Sequence, residues 1–296
     1  MKNCLKILYT ERKEKTMGNN TTPKCQCPNC SNLGRFAYPV RRRGNNNAYL
    51  CDFHKRALEG YTTENNLRLG TPKANGMTYS IELETMHPTF QARLELCLAG
   101  FLPTADCTVD AEFKSPIYEG MNAVKAFLPS IQWLMDTDAM VIDSHCGTHF
   151  HVGNHTLINP LTMHYIRRFY NSLFVPLCDA MMNDRLKTAV IFGRDFGQWN
   201  TPITMHTDAE EHTNFINVQH EYTLEFRSMF FKTAGQYAAG TDFCRKVAEI
   251  VCKGFCEKVL EMNLHERQTL TIEQKATLKK AADKTARKLV KLYSES

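Results

Sequence analysis

The spacing of hydrophobic and polar residues predicts alternating strands and helices from Met77 onward. MTYSIELET alternates residue by residue, as a half-buried strand does, whereas HPTFQARLELCLAGF places Phe90, Leu94 and Leu98 on one helical stripe. The other stretches with a strand pattern are TVDAEFKSPI, AMVIDSHCGTHFHVG, VIFGRDFG and HEYTLEFRSMFF. Those with a helical pattern are GMNAVKAFLPSIQWLMDT, NPLTMHYIRRFYNSLFVPLCDAMM, GTDFCRKVAEIVCKGFCEKVLEMN and TIEQKATLKKAADKTARKLVKLYS. Strands and helices in this mixed order predict an α/β or α+β domain.

Pattern and composition divide the chain into five segments. A polar, pattern-free start predicts a flexible tail, and the Gly, Pro and Asn residues of RLGTPKANG predict a linker. The last helix begins at a capping box formed by Thr271 and Gln274. The predicted segments are a tail at 1–22, a cysteine-containing module at 23–60, a linker at 61–76, a main domain at 77–264 and a basic helix at 265–296.

The formal net charge of +5 is unevenly distributed along the chain. Residues 1–60 carry 12 Lys and Arg against 4 Asp and Glu, and residues 265–296 carry 8 against 4, so the segment between them is net acidic. An acidic centre suits a magnesium site. The basic ends suit an acidic partner or nucleic acid, or are simply solvated faces.

Neither a membrane span nor an export signal is predicted. The chain has no apolar run long enough to cross a bilayer, and charges follow the short apolar patch near its start. Twelve cysteines without an export signal favour reduced thiols and metal ligation over disulfides. We therefore expect a cytoplasmic protein without a membrane partner.

Two pairs of metal-ligand residues stand in the cysteine-containing module. Cys27 and Cys30 form a C-x-x-C knuckle, and Cys51 and His54 form a C-x-x-H pair at the start of a helix. Twenty residues separate the pairs, enough for a β-hairpin with RRRGNNN at its tip, a candidate contact for nucleic acid or another acidic surface. The spacing predicts a zinc ribbon or treble-clef-like module with a closed structural Zn²⁺ site. Cys25 competes for a place in the first pair, and the alternative is that the cysteines are free core residues.

Several polar residues on the predicted strands lie two positions apart, and such residues share one face of a strand. The pairs are Glu82 and Glu84, Asp110 and Glu112, His149 and His151, and Glu225 and Arg227. A single pair of this kind is typical of a solvated strand face. If the strands lie in one sheet, however, one surface gathers carboxylates, two imidazoles and an arginine. Oxygen and imidazole ligands suit Mg²⁺ or Mn²⁺ and arginine suits phosphate, so the pattern predicts a nucleotide-phosphate site.

The order of IELE, AEFKSP, SHCGTHFHV and TLEFR, with FGRDFGQW and NFINVQ also in place, resembles the amidoligases. This family belongs to the carboxylate–amine ligase superfamily that includes glutamine synthetase and glutamate–cysteine ligase. The resemblance runs from about Met77 to Phe255, and Ser80 stands where the family usually has glycine. It implies an α+β fold in which an antiparallel sheet curves into a glutamine synthetase-like half-barrel with helices on its outer face. The concave face is expected to hold ATP and two or more divalent ions.

The resemblance also implies roles for individual residues. The residues expected to ligate Mg²⁺ or Mn²⁺ are Glu82, Glu84 and Glu112, with His149 and Glu225 completing a second ion site. His151 is expected near the nucleotide or the transferred phosphate, and Arg227 is expected to contact that phosphate. Arg194 and Asn217 are candidates for binding phosphate or substrate.

These roles predict an ATP- and Mg²⁺-dependent ligase that joins a carboxylate to an amine through an acyl phosphate. Its substrates are then a carboxylate and an amine, either of which could belong to a peptide or a protein. No cysteine or serine nucleophile is needed, so Cys146 is expected to serve the turn before the two histidines. Substrate specificity is expected in loops such as Trp199–His212, where no residue dictates a particular substrate.

Two other functions fit parts of the pattern. A non-catalytic binding or structural protein would combine the zinc module with a degenerate ligase fold. A cupin-like metalloenzyme would use the H-x-H pair alone, but HFHVGNHT supplies His155 without the nearby glutamate that such a site usually has.

Overall fold

The computed structural model describes residues 23–27, 30–41, 44, 46–59, 76–104, 109–125, 128–140, 146–193, 214–229 and 233–296. The predicted tail at 1–22 and all of the predicted linker except Gly76 lie outside the described residues, as do Arg194 and the loop Trp199–His212. Within the described part of the chain, no helix is both long and apolar enough to cross a membrane.

Short strands and helices follow one another along the chain, as the sequence pattern predicts. The strands are β1 (Phe36–Val40), β2 (Asn46–Leu50), β3 (Thr78–Thr85), β4 (Leu102–Thr104), β5 (Ala111–Lys114), β6 (Tyr118–Glu119), β7 (Thr148–Gly153), β8 (Ile216–Asn217) and β9 (Thr223–Met229). The first helices are α1 (Asp52–Leu58), α2 (Phe90–Leu98), α3 (Met121–Lys125), α4 (Leu128–Asp136), α5 (Pro160–Arg168) and α6 (Tyr170–Leu173). They are followed by α7 (Val175–Asn183), α8 (Arg185–Phe192), α9 (Ala234–Val251), a π-helical turn (Cys252–Cys256), α10 (Glu257–Glu261) and α11 (Ile272–Glu295).

In the described part of the chain the main sheet contains seven strands, and all of its neighbouring strands are antiparallel. Its order is β4-β5-β3-β7-β9-β8, and β6 pairs with β3. Apolar residues alternate with polar ones along each long strand, so one face carries side chains such as Ile81, Phe113, Phe150 and Phe226. These side chains belong to the same buried core as the helices. The predicted combination of an antiparallel sheet with helices is therefore confirmed.

The N-terminal module is a hairpin of β1 and β2 followed by α1. Its buried residues, which include Val40, Leu50 and Leu58, form a small apolar cluster together with Leu94 and Leu98 of α2. The module therefore shares its core with the edge of the main domain.

One predicted strand is wrong. VIFG in VIFGRDFG ends helix α8, and Gly193 terminates that helix in the left-handed region at φ 74°. Asp184 caps the start of α8 by accepting from Lys187 N, and the Thr188 hydroxyl lies 2.7 Å from Tyr293 Oη. A run of three apolar residues is compatible with either a strand or a helix, and here the cap and the contact with α11 favour the helix.

The last helix, α11, packs into the helical layer through a buried stripe, while most of its basic residues face outward. Its capping box of Thr271 and Gln274 is present, as the sequence predicts. The buried stripe includes Leu278, Leu289 and Tyr293, which belong to the main core. Helix α11 is thus an integral part of the main domain.

Gly254 in the π-helical turn lies directly against Thr285 of α11. A Cβ added at Gly254 would stand 2.3 Å from Thr285 Oγ1 and 3.3 Å from Thr285 Cβ. Only a residue without a side chain permits this approach of the two helices.

Replacing Gly254 with alanine is therefore expected to lower the free energy of unfolding by about 1–3 kcal/mol, because the added methyl overpacks the helix contact. Chemical denaturation of the purified protein measures this change. Gly235→Ala is the matched control, since its added Cβ would have only Thr233 Oγ1 within reach, at 3.7 Å. Thr285→Ala in the Gly254→Ala background should restore part of the loss. Equal stability of Gly254→Ala and the parent protein would contradict this packing.

Candidate functional site

The second face of the main sheet gathers most of the polar residues that the sequence singles out. The register places Glu82 opposite His149, Glu84 opposite Glu112, and Glu225 opposite both His151 and Asn217. Since residues that are paired across strands share a face, all of these side chains project from the same side of the sheet. The strands that carry the predicted polar residues thus lie in one sheet, except that Asp110 precedes β5 and contacts His87 instead.

His149 lies at the centre of this polar face and is buried. Its Nδ1 is 3.4 Å from Glu82 Oε2 and 3.2 Å from Glu225 Oε1, and its Nε2 is 3.6 Å from Glu84 Oε1. One imidazole thus contacts carboxylates from two neighbouring strands, β3 and β9.

Hydrogen bonds hold the carboxylates of Glu84 and Glu112 in place. Gly147 N donates to Glu84 Oε2 at 2.5 Å, and Thr104 Oγ1 donates to Glu112 Oε2 at 2.8 Å. A Cβ at Gly147 would stand 3.0 Å from His149 Nε2 and 3.1 Å from Glu84 Oε2. The glycine therefore keeps open the space beside the carboxylates, a role that the sequence reasoning did not assign.

Lys114 reaches into the same group of carboxylates. Its Nζ lies 3.3 Å from Glu82 Oε1 and 3.5 Å from Glu112 Oε2. The sequence reasoning missed this residue, although Lys114 stands two positions after Glu112 and the same-face rule applies to it. Its ammonium partly balances the negative charge of this part of the face.

Glu225 is the most heavily hydrogen-bonded carboxylate of the site. Asn217 Nδ2 donates to its Oε2 at 2.6 Å, and Arg227 Nη1 donates to its Oε1 at 2.7 Å. His220 Nε2 lies 2.9 Å from Oε2. Asn217 and Arg227, predicted as phosphate or substrate ligands, are thus both placed against Glu225, and His220 joins them without having been predicted.

Two of the carboxylates are held in the ionised form by their neighbours. Burial opposes ionisation of Glu82, but its contacts with His149 and His151 outweigh burial and hold its pKa well below the usual value. Burial also opposes ionisation of Glu225, but the contact with His220 and the nearby positive charges lower its pKa to about 2. Both groups are available as anionic ligands at neutral pH.

Glu112 behaves in the opposite way. Burial, followed by the negative charge of Glu82, raises the pKa of Glu112 to about 7, against the opposing effects of Lys114 and Thr104. A buried carboxyl that is crowded by a like charge retains its proton until a cation compensates for that charge.

The donor atoms of the polar face fall into two groups that could hold a metal ion. One group is Glu82, Glu112 and His149, and the other is His151, His220 and Glu225. In each group the three donor atoms lie within 4.8 Å of one another. The structure therefore brings together the predicted ligands Glu82, Glu112 and His149. Of the other predicted ligands, Glu84 belongs to neither group, and Glu225 is grouped with His151 and His220 instead of with His149.

A separate cluster of sulfur and nitrogen donors lies in the N-terminal module. Its members are Cys25, Cys30, Cys51 and His54. His54 Nδ1 lies 3.4 Å from Cys25 Sγ and 3.3 Å from Cys51 Sγ, and the Sγ atoms of Cys30 and Cys51 are 3.8 Å apart. Ligands of a tetrahedral zinc ion are separated by about 3.5–3.8 Å, so the cluster has the size of such a site. Burial lowers the pKa of His54, which favours the neutral imidazole that a metal requires.

The structure corrects one predicted ligand of this cluster, because Cys25 takes the place expected for Cys27. Cys25 N donates to Asn32 O at 2.9 Å, which ties this part of the backbone beside the hairpin. The Cys27 side chain is buried against α2, and its Sγ lies 3.4 Å from Cys97 Sγ. The neighbouring thiols of Cys25 and Cys97, together with burial, raise the pKa of Cys27 and favour its neutral thiol.

No protein-family model matches this chain, and a search of curated proteins finds no match. The resemblance that the motifs carry therefore stays a prediction, and the geometry of the polar face is the main support for a functional proposal.

Substituting single cysteines is expected to separate the two candidates for the fourth ligand. Cys25→Ser should lose tightly bound metal, because it removes one of four clustered donors, whereas Cys27→Ser should retain the metal. Elemental analysis of the purified full-length variants after dialysis measures the metal content. Loss of metal from Cys27→Ser with retention in Cys25→Ser would restore the assignment made from the sequence.

The raised pKa of Glu112 predicts a pH-dependent stability in buffer without Mg²⁺ or Mn²⁺. The folded protein retains this proton between the ordinary pKa of 4.5 and about 7, where the unfolded chain has lost it. The contribution of Glu112 to the free energy of unfolding therefore falls as the pH rises through this window, by roughly 3 kcal/mol.

Glu112→Gln should lack this part of the pH dependence and be more stable than the parent protein at about pH 8, because an uncharged amide replaces a buried charge. Denaturant titrations of both proteins between about pH 5 and about pH 8 make the comparison. Parallel stability profiles would show that Glu112 does not carry the effect.

Proposed function

We propose that the protein is an ATP- and Mg²⁺-dependent carboxylate–amine ligase, similar to the amidoligases, with a structural Zn²⁺ module at its N-terminus. The observation that carries the proposal is the convergence of buried and half-buried carboxylates and imidazoles from four strands, β3, β5, β7 and β9, on one face of an antiparallel sheet. The opposite face of that sheet is covered by helices. This arrangement is what the resemblance to the half-barrel ligases implies.

The donor set fits a divalent cation that binds phosphate. Glu82, Glu112 and His149 offer two carboxylates and one imidazole within 4.8 Å of one another, a combination that suits Mg²⁺ or Mn²⁺. Gly147 leaves free the space that a larger residue would fill beside His149 and Glu84. Mutually repelling carboxylates on one partly closed surface are costly without a compensating cation.

Arg227 is the phosphate ligand in this proposal. Glu225 accepts one of its N–H groups at 2.7 Å, which orients the guanidinium at the rim of the site while its side chain remains 25% exposed. A guanidinium has five N–H donors in a planar fork, so further donors can contact phosphate oxygens.

The reaction follows from the weakness of a carboxylate as an acyl donor. Transfer of a phosphoryl group from ATP gives an acyl phosphate, and attack by the amine nitrogen then forms the amide and releases phosphate. Bound Mg²⁺ would supply charge neutralisation for the transferring phosphoryl group. The chain's own carboxylates would position the cation, and Arg227 would stabilise the developing negative charge. Cys146, fully buried before β7, has no role in these steps.

The Zn²⁺ module is structural in this proposal. Cys25, Cys30, Cys51 and His54 supply four donors, so a tetrahedral ion has no open position for substrate. Because the module shares an apolar cluster with α2, the ion would stabilise the edge of the main domain as well as the hairpin.

The two alternatives have weaker support. A cupin-like site would use His149 and His151 on one metal, but these residues belong to different donor groups. A non-catalytic protein would not need the carboxylates of the polar face to be held ionised, as Glu82 and Glu225 are.

Amine-dependent release of ADP tests the proposal. The full-length protein with ATP, Mg²⁺ and a broad panel of carboxylates and amines is expected to release ADP only when both partners are present. Glu82→Gln should lower this rate by about 100-fold, since Glu82 belongs to the donor group and an amide is a poor ligand for a hard cation. Asp110→Asn is the matched control, because Asp110 is a nearby exposed carboxylate that contacts His87 instead of the cluster.

Two results would contradict the proposal. Absence of amine-dependent ADP release across the panel, together with absence of Mg²⁺-dependent nucleotide binding, would favour a non-catalytic protein. Full activity of Glu82→Gln would show that the polar face of the sheet is not where ATP reacts.

A further inference from the structure

His151 is a buried imidazole on β7. The residue is only 7% exposed, and its Nε2 makes no hydrogen bond with any residue that the structure describes. The nearest carboxylate oxygen, Glu82 Oε1, lies at 3.4 Å, in the range of an ion pair rather than a well-formed hydrogen bond. Burying a polar atom without a hydrogen bond destabilises a protein, so a ligand bound at His151 Nε2 would be favourable.

His220 approaches the same place from the turn between β8 and β9. Its ring centroid lies 5.3 Å from that of His151, and its Nε2 lies 2.9 Å from Glu225 Oε2. The donor atoms of His151, His220 and Glu225 fit within 4.8 Å. Two cis ligands at about 2.1 Å from a metal ion are about 3 Å apart, so an ion could replace the hydrogen bond between His220 and Glu225 with little movement.

The turn that carries His220 is fastened to the helical layer. The Arg167 guanidinium of α5 donates to three successive backbone carbonyls, those of Val218, Gln219 and His220, at 2.8, 3.0 and 3.2 Å. Gln219 N also donates to Asn217 Oδ1 at 2.9 Å. His220 is therefore held next to Glu225 by its backbone, although its side chain is 46% exposed.

We infer that His151, His220 and Glu225 form a second cation site that selects a divalent transition-metal ion, with Mn²⁺ as its representative, over Mg²⁺. Two imidazoles and one carboxylate favour a transition metal, whereas Mg²⁺ prefers oxygen ligands alone. The group of Glu82, Glu112 and His149 has the opposite balance of two carboxylates and one imidazole. The polar face would thus hold two ions of different preference, and His220 would set the difference.

This inference goes beyond the proposed ligase function and does not depend on it. A metal preference and its nitrogen ligands can be measured without ATP, a carboxylate or an amine, so failure of the ligase assay leaves the inference open to its own test.

The test compares Mn²⁺ and Mg²⁺ binding to the full-length protein by calorimetry and detects ¹⁴N ligands of bound Mn²⁺ by pulsed electron paramagnetic resonance. The parent protein is expected to bind Mn²⁺ more tightly than Mg²⁺ and to show nitrogen coupling from the pair of histidines. His220→Gln should reduce the preference for Mn²⁺ by at least about tenfold and weaken the nitrogen coupling. His155→Gln is the matched control, because His155 lies nearby and stacks on Tyr222 outside the donor group.

His151→Gln provides a second, independent variant and should have the same effect as His220→Gln. Loss of the preference in both variants, with retention in His155→Gln, supports the site. Unchanged preference and unchanged coupling in His220→Gln would overturn it, as would Mn²⁺ that binds without any nitrogen coupling or fails to bind at all.

Discussion

The organisation of this protein depends on mutual charge compensation across one face of a β-sheet. Glu82 is half-buried and Glu225 is buried, and burial opposes the ionisation of both. Their pKa values are nevertheless lowered, that of Glu82 by contacts with His149 and His151 and that of Glu225 first by the contact with His220. Burying either charge alone would be costly, and the imidazoles and Arg227 reduce that cost. The compensation is incomplete at Glu112, where burial, followed by the negative charge of Glu82, raises the pKa. The surface therefore favours the binding of cations.

The rest of the fold supplies the rigidity that such a surface needs. The apolar face of the sheet packs against helices in one continuous core, which α11 joins through its buried stripe. Gly254 allows the π-helical turn to approach α11 closely. At the other end of the sheet, the Cys3His module is attached to α2 by an apolar cluster that includes the contact between Cys27 and Cys97.

Much of the sheet and part of the site could be predicted from sequence, because both depend on a period of two. Alternation in IELET and FHVG predicts β3 and β7, and the same rule places Glu82 and Glu84 on one face of β3. The predictions that were wrong concern residues whose positions depend on contacts between distant segments. Spacing favours Cys27, which forms C-x-x-C with Cys30, but the contact of Cys27 with Cys97 of α2 cannot be seen from spacing.

His220 was missed for a related reason. It lies in a turn, where no periodicity indicates direction, and its position next to Glu225 depends on hydrogen bonds from Arg167, which lies 53 residues earlier in the chain. Lys114, by contrast, could have been found, since it stands two positions after Glu112 on β5. The sequence predicts a strand at the end of α8 because a short apolar run reveals neither the cap of this helix nor its contact with Tyr293.

Calorimetric titration of the full-length protein with a non-hydrolysable ATP analogue tests the central claim, that the polar face binds nucleotide phosphates through a divalent cation. The account predicts binding that requires Mg²⁺ and is lost in Glu82→Gln, because Glu82 joins the carboxylates to both histidines. Binding that is equally strong without Mg²⁺, or that survives in Glu82→Gln, would contradict it.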